Sequence, residues 1–364
     1  MSEVVQRFDN WLTNNGPAAL VIREHLIPVE GVDGVFFPAT FAESKDKVFK
    51  GGYNIDEFLD GTNVCLVDSV GSQANRIEPL FMDSDYSELI PQITVKAGSK
   101  KVNLLEAGHR AGDALVRCSP LHQELQDAFK ALLDGDAEPL AKIAPTSLVF
   151  GAWDSRDTQA KLPRLIDSKI RAFNVRKLTR SAQFNPATEY FDQGLLEKDV
   201  EKNVKDAYAE CGFVHVPATG THGGVIATGG IRRDAVLQLA ALRLLKTSAD
   251  EKTLALRRYI LGLSLTALTA PTSGYLRQGC NLVPDIEKPR EFSLVYCDGR
   301  RENASIPHND AIAYAKSTAS AFGVASAREV DFNKETAKKH VADAIKKNES
   351  AKKDVADATK KKGK

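Results

Sequence analysis

Between Ile166 and Phe173 the chain alternates without a break. Ile166, Ser168, Ile170 and Ala172 fall on one side, and Asp167, Lys169, Arg171 and Phe173 on the other. A period of two marks a half-buried β-strand and does not fit a helix face. The fold must therefore contain a sheet with one apolar face and one face carrying cations and an aromatic ring. This strand lies inside a wider basic segment. From Arg156 to Arg180 there are eight Lys or Arg against two acids, Asp157 and Asp167.

The formal net charge of the 364 residues is only +1, but it is unevenly placed. Residues 1–150 hold 13 basic and 22 acidic side chains, and residues 151–364 hold 36 and 26. A near-neutral total is thus compatible with a polyanionic partner, because the local field decides.

Other segments supply further elements. Ala18–Gly31 reads as a strand ending in a Pro/Gly turn, and Val64–Val67 as a buried strand. "DALVRCS" and "TSLVFGAW" read as two more, separated by an amphipathic helix with Ser119 as N-cap and Pro120 at its first helical position. A charged helix closed by Gly212, a short strand "FVHVPA", a long helix "DEKTLALRRYILGLSLTALTA", a late strand "EFSLVYCDG" and a last helix "PHNDAIAYAKSTASAFG" follow. Strands and helices mix without regular alternation, which predicts an α+β fold. Residues 1–333 are expected to form one domain with insertions. Residues 334–364, with eleven lysines and five acids, are expected to be a frayed helix or a disordered extension.

Several chemistries are disfavoured. The five cysteines are scattered with no CxxC pair, which suggests reduced thiols and neither a disulfide nor a zinc site. The N-terminus has no apolar signal core, and no uncharged apolar run of 18 residues occurs, so a cytoplasmic protein without membrane contact is expected. "GTHGGVIATGG" lacks the Gly-Lys-Ser/Thr ending of a nucleotide-binding loop. The seven histidines give no standard metal pair, and no cofactor is implied. His109 could serve as a general base with Asp113, or as a structural or RNA-stacking residue. Asp68 could be a catalytic carboxylate, or it could cap the next helix together with Ser69.

The remaining motifs suit a nucleic-acid backbone. "DSVGSQANRIEP" gathers Ser69, Ser72, Gln73, Asn75 and Arg76, which can bond phosphate oxygens and ribose hydroxyls without selecting a base. Arg156, Lys161 and Arg164 lead into Lys169, Arg171 and Phe173, a combination of charge and ring suited to a single strand. "GGIRR" reads as a glycine-rich entry to a helix, with Gly229, Gly230, Arg232 and Arg233 placed for a phosphate.

Four stretches, "PVEGVDGVFFPATFA", "YNIDEFLDGTNVCLVDSVGSQANRIEP", "TSLVFGAWDSRDTQAKLPRLIDSKIRAFNV" and "GGVIATGGIRRDAVLQLAALRLL", resemble one family. It is the backbone RAMP protein of type I-G (formerly I-U) CRISPR systems, the Cas-seven-type subunit of the Cascade surveillance complex. The resemblance spans about residues 18 to 300 and leaves the lysine tail outside. It implies a modified RRM-like (ferredoxin-like) palm with inserted finger and thumb elements. It also implies copies aligned head-to-tail on one CRISPR RNA, with intervening bases left to pair with target DNA for antiviral defence. Other Cascade subunits and a separate helicase-nuclease would complete the system, and this subunit would perform no catalysis. The acidic N-terminal portion would face neighbouring copies. Two rival expectations remain: a metal-dependent ribonuclease of the same superfamily using Asp68 or His109, and a metabolic enzyme with a basic pocket.

Overall fold

The structure, a computed structural model, describes residues 3–346. Its centre is a mostly antiparallel sheet. The strands used below are β1 (Ala19–Pro28), β2 (Ile55–Glu57), β3 (Asn63–Asp68), β4 (Ile166–Phe173), β5 (Val175–Phe184), β6 (Val216–Ala227), β7 (Ile231–Gln238), β8 (Tyr275–Arg277), β9 (Cys280–Pro284) and β10 (Glu291–Val295). The helices are α1 (Val70–Ile77), α2 (His122–Leu133), α3 (Pro145–Phe150), α4 (Lys202–Glu210), α5 (Asp250–Thr269) and α6 (His308–Phe322). The sheet runs β8-β9-β1-β7-β4-β3-β2, and β10 pairs with β1 beyond the end of β9. Within it β10, β1, β7 and β4 are antiparallel neighbours in that order. Taken along the chain, these are the last, first, third and second of four strands.

The alternation read from the sequence is the alternation observed. Ile166, Ser168, Ile170 and Ala172 are buried, and Asp167, Lys169, Arg171 and Phe173 are half-exposed. One face of the sheet is covered by two apolar clusters. Leu20, Ile22, Ile166, Ala235, Leu237 and Leu294 pack with Leu256, Tyr259, Ile260 and Leu263 of α5. Toward the other end Leu26, Val67, Ile170, Ile231 and Leu282 pack with Phe36, Tyr53 and Val225. Helix α5 is buried all round from Arg258 onward because α6 covers its far side, where Gly262 lies against Ala315 and Thr318.

Strands β5 and β6 leave the sheet at Asn174, which has φ 50°, and form a separate two-stranded ribbon. Beyond Val175 the residues of β5 are exposed or half-exposed along its length. Helix α4 lies between the two strands at the ribbon's far end.

Several local expectations are corrected. "DALVRCS" contains a helical turn, Ala114–Arg117, and "TSLVFGAW" contains helix α3 followed by the two-residue strand Ala152–Trp153. All six residues of α3 are buried, so its sequence carries no period that would distinguish helix from strand. "FVHVPA" runs into the much longer β6. "GGIRR" opens strand β7 rather than a helix. The lysine-rich segment is helical over residues 334–346, and the rest of it lies outside the described residues.

Candidate nucleic-acid interface

The residues singled out in the sequence fall on two surfaces on opposite faces of the sheet. The first is the uncovered face. Lys169, Arg171 and Phe173 project from β4, and Arg232 from β7. Arg171 pairs in register with Arg232, and Arg232 with His25 of β1; Lys169 pairs with Asp234, and Asp234 with Arg23. Arg232 donates to Asp234 at 2.8 Å and lies 5.0 Å from the centre of the Phe173 ring. Lys169 pairs with Asp167 at 2.8 Å. Among the described residues Arg171 has no acidic partner, and neither do Arg156, Lys161, Arg164, Arg176 or Lys177. The basic segment therefore keeps most of its charge available.

Gly229 and Gly230 form the turn that supports Phe173. Phe173 N–H donates to Gly230 O and Gly229 N–H to Phe173 O, both at 2.9 Å. A Cβ on Gly229 would sit 2.9 Å from Phe173, and Gly230 has φ 83°, so both positions require glycine for the turn to close.

The second surface is a groove of about 330 Å³ on the side of α1, lined by Gly108, His109, Arg110, Gly151, Trp153, Lys161 and Arg164 among others. Ser69 caps α1 by accepting from Ser72 N–H at 3.3 Å. The Arg164 guanidinium lies beside the first turn of α1, 3.9 Å from where a Cβ on Gly71 would stand. Asn75, one turn on, accepts from Arg110 at 3.2 Å, and Arg110 also donates to Gly151 O at 3.2 Å and to Glu78 at 2.6 Å. Burial pushes the Glu78 carboxyl up to about 7, against the pull of Arg110. This network fixes the groove wall and leaves the outer side of α1 to solvent, where Asn75 and Arg76 are exposed. Trp153 is 56% exposed, with the Lys161 ammonium 5.7 Å from its ring centre. Arg156 stands on a loop that Asp154 holds by accepting from Thr158 N–H and Oγ1, both at 2.7 Å.

Two of the expected residues point inward. Gln73 is buried, donating to Asp68 at 2.7 Å and accepting from Ser168 at 3.0 Å. Arg233 is buried against Glu24, 2.8 Å away and directly opposite it in register. Alternation along β7 sends Arg232 to one face and Arg233 to the other. Asp68 is fully buried and accepts from Ser72, Gln73, Arg76 and Arg277. His109 is exposed, 3.5 Å from Asp113. Among the described residues no three His, Cys, Asp or Glu side chains converge as a metal site would require, and no helix is long and apolar enough to cross a membrane.

The sequence reading missed Arg23 and His25 on the open face and Trp153 in the groove. The first two stand at the polar positions of the alternation in "VIREHLIP", whose apolar half alone marks the strand.

Residues 20–177 match the family described as CRISPR-associated protein GSU0053. The match covers less than half of the chain. The matched region runs from β1 to the root of the ribbon. It includes α1, the groove and the Lys169–Phe173 row. No curated protein matched the chain.

Proposed function

We propose that this protein is a non-catalytic backbone subunit of a type I CRISPR surveillance complex, holding CRISPR RNA by its sugars and phosphates. One observation carries the reading: Arg171 and Arg232 are held opposite each other on neighbouring strands, with Arg171 lacking an acid. Like charges placed this way weaken a sheet, a cost that a bound polyanion reverses. Phe173 beside them offers a stacking surface, and the groove with Lys161, Arg164, Asn75 and Trp153 offers a second line of contacts. A guide varies in sequence, so contacts to charge and ribose rather than base edges suit the task.

The four-strand order, with α5 leading from β7 to β10, supports an RRM-like palm, and the exposed β5–β6 ribbon is the natural thumb. Gln73 and Arg233 act here by positioning. Both oxygens of Asp68 are engaged by neighbouring donors, which favours a structural role for it over metal-dependent RNA cleavage. Partners on this reading are CRISPR RNA, target DNA paired to it, further copies of the chain, other Cascade subunits and a separate helicase-nuclease.

The test is co-expression with a CRISPR array. The wild type should elute as multi-copy particles containing guide RNA, and Arg164→Glu with Arg171→Glu should abolish RNA-dependent assembly. Particles of normal size from the double variant would refute the reading.

A further inference from the structure

On the covered face of the sheet, between the two apolar clusters, lies a pocket of about 430 Å³. Its walls are Leu26, Ile77, Leu80, Ile170, Ala270 and Leu282 among others, and its rim includes Arg76, Ser273 and Tyr275. Glu24 and Arg233 also line it. Arg233 is 3% exposed, and its Nη2 is buried without a hydrogen-bond acceptor. Glu24 is shared between Arg233 and Arg290, and Asp68 nearby is shared between Arg76 and Arg277. Among the lining residues Glu24 and Asp83 stand against Arg76 and Arg233, and Arg233 Nη2 is the buried donor left without an acceptor. Apolar walls with an unfilled guanidinium donor suit a ligand that brings an apolar body and a carboxylate.

The same chain presents such a ligand elsewhere. The β2–β3 hairpin forms the sheet edge, and its tip is Phe58-Leu59-Asp60-Gly61. Phe58 is half exposed and Leu59 fully exposed. Asp56, Glu57 and Asp60 surround them, and no Lys or Arg occurs between residues 51 and 75. The tip is well formed: Phe58 N–H donates to Thr62 O at 2.9 Å, Gly61 N–H to Phe58 O at 3.0 Å, and Asp60 accepts from Thr62 N–H at 2.9 Å. Large apolar side chains at a rigid acidic tip are costly in solvent unless something covers them.

We infer that the Phe58–Asp60 tip of one copy docks in the Arg233 pocket of a second copy, with Leu59 and Phe58 against the apolar walls and the acids toward the guanidiniums. Tip and pocket are different parts of one surface, so the contact is heterologous and propagates from copy to copy. The inference rests on the proposed multi-copy assembly and identifies the contact that builds it.

The experiment uses two separately tagged full-length proteins, both with the exposed Cys211 and Cys297 replaced by Ser. One carries Leu59→Cys and the other Ser273→Cys, so a bismaleimide link between the two tags forms only between copies. The pair should give a band at twice the monomer mass, and Leu59→Cys mixed with the ribbon control, Leu195→Cys on the connection between β5 and β6, should not. Adding Asp60→Lys to the tip protein should remove the band while binding to an RNA too short for two copies stays unchanged. The link is read with and without RNA. A band in both settings supports the contact even if the RNA reading fails. No band in either setting, or equal bands with the ribbon control, overturns it. Photo-crosslinking of thiouridine RNA to Tyr275 in place of the protein link would assign the pocket to the strand and also overturn it.

Discussion

Arg171 on β4 and Arg232 on β7 are direct cross-strand partners, and among the described residues Arg232 alone of the two has an acid, Asp234, to share. A sheet without a ligand pays for that arrangement. Arg171→Thr should therefore stabilise the free protein by about 0.2–1 kcal/mol, the range for cross-strand pairs. The same change should weaken RNA binding. Urea denaturation and an RNA titration on one preparation give the two signs. A variant that lost stability and kept its affinity would make Arg171 a packing residue.

Asp68 ties three elements together, because it ends β3, accepts from α1 and receives Arg277 from β8 at 2.6 Å. Asp68→Ala would leave two guanidiniums and the Gln73 amide without their acceptor. Breaking a buried pair from one side costs about 3–5 kcal/mol, and the lower end applies here because the Arg76 side chain is a third exposed. The loss should appear as an earlier denaturation midpoint. Wild-type protein given complementary RNA and Mg²⁺ should show no turnover; turnover that vanished in the variant would restore the ribonuclease reading.

Midway along the ribbon the two strands approach each other closely. A Cβ on Gly223 would lie 2.7 Å from the Thr179 carbonyl carbon, and backbone cannot move aside as a flexible side chain can. Gly223→Val should separate β5 from β6 midway along the ribbon while leaving the sheet intact. Hydrogen exchange should accelerate across Val175–Phe184 and remain slow in β1 and β7.

What the sequence disclosed follows from these particulars. The β4 alternation was legible because one face meets solvent and the other meets α1 and α3. The long helix α5 was legible from its length. Arg233 was not, because it occupies a core row, Ile231, Arg233, Ala235 and Leu237, and its partner Glu24 lies on a distant strand. A charge in such a row reads as a break until its counter-ion is known. The division of the basic residues between two faces was hidden for a related reason. Nothing local to Arg164 or Lys169 shows that α1 covers one side of β4 only.

His308 gives a pH dependence of defined sign. Its Nε2 is 2.8 Å from Tyr86 OH and its Nδ1 2.8 Å from Thr269 Oγ1. Burial first, and Arg290 second, hold its pKa below the ordinary 6.5. Folded protein therefore binds this proton less readily than unfolded chain does. The stability it confers is complete above 6.5 and is lost as pH falls through the lower folded value. As pH falls from 6.5 to that lower value, melting temperatures should drop more steeply for wild type than for His308→Gln. Parallel curves would remove His308 as the cause.

The groove cations can be counted through salt. Each phosphate contact made by a single-strand binder contributes about 0.7 to the slope of log affinity against log salt. Lys161→Ala and Arg164→Ala should each lower that slope by about this amount, and the double variant by about twice as much. The loss should be the same for guides of unrelated sequence, because phosphates carry no base identity. Trp153→Ala should weaken binding at every salt concentration with the slope unchanged, since stacking releases no counter-ions. A slope that stayed constant in the Lys161 and Arg164 variants would move the strand off the groove and onto the Arg171 face alone.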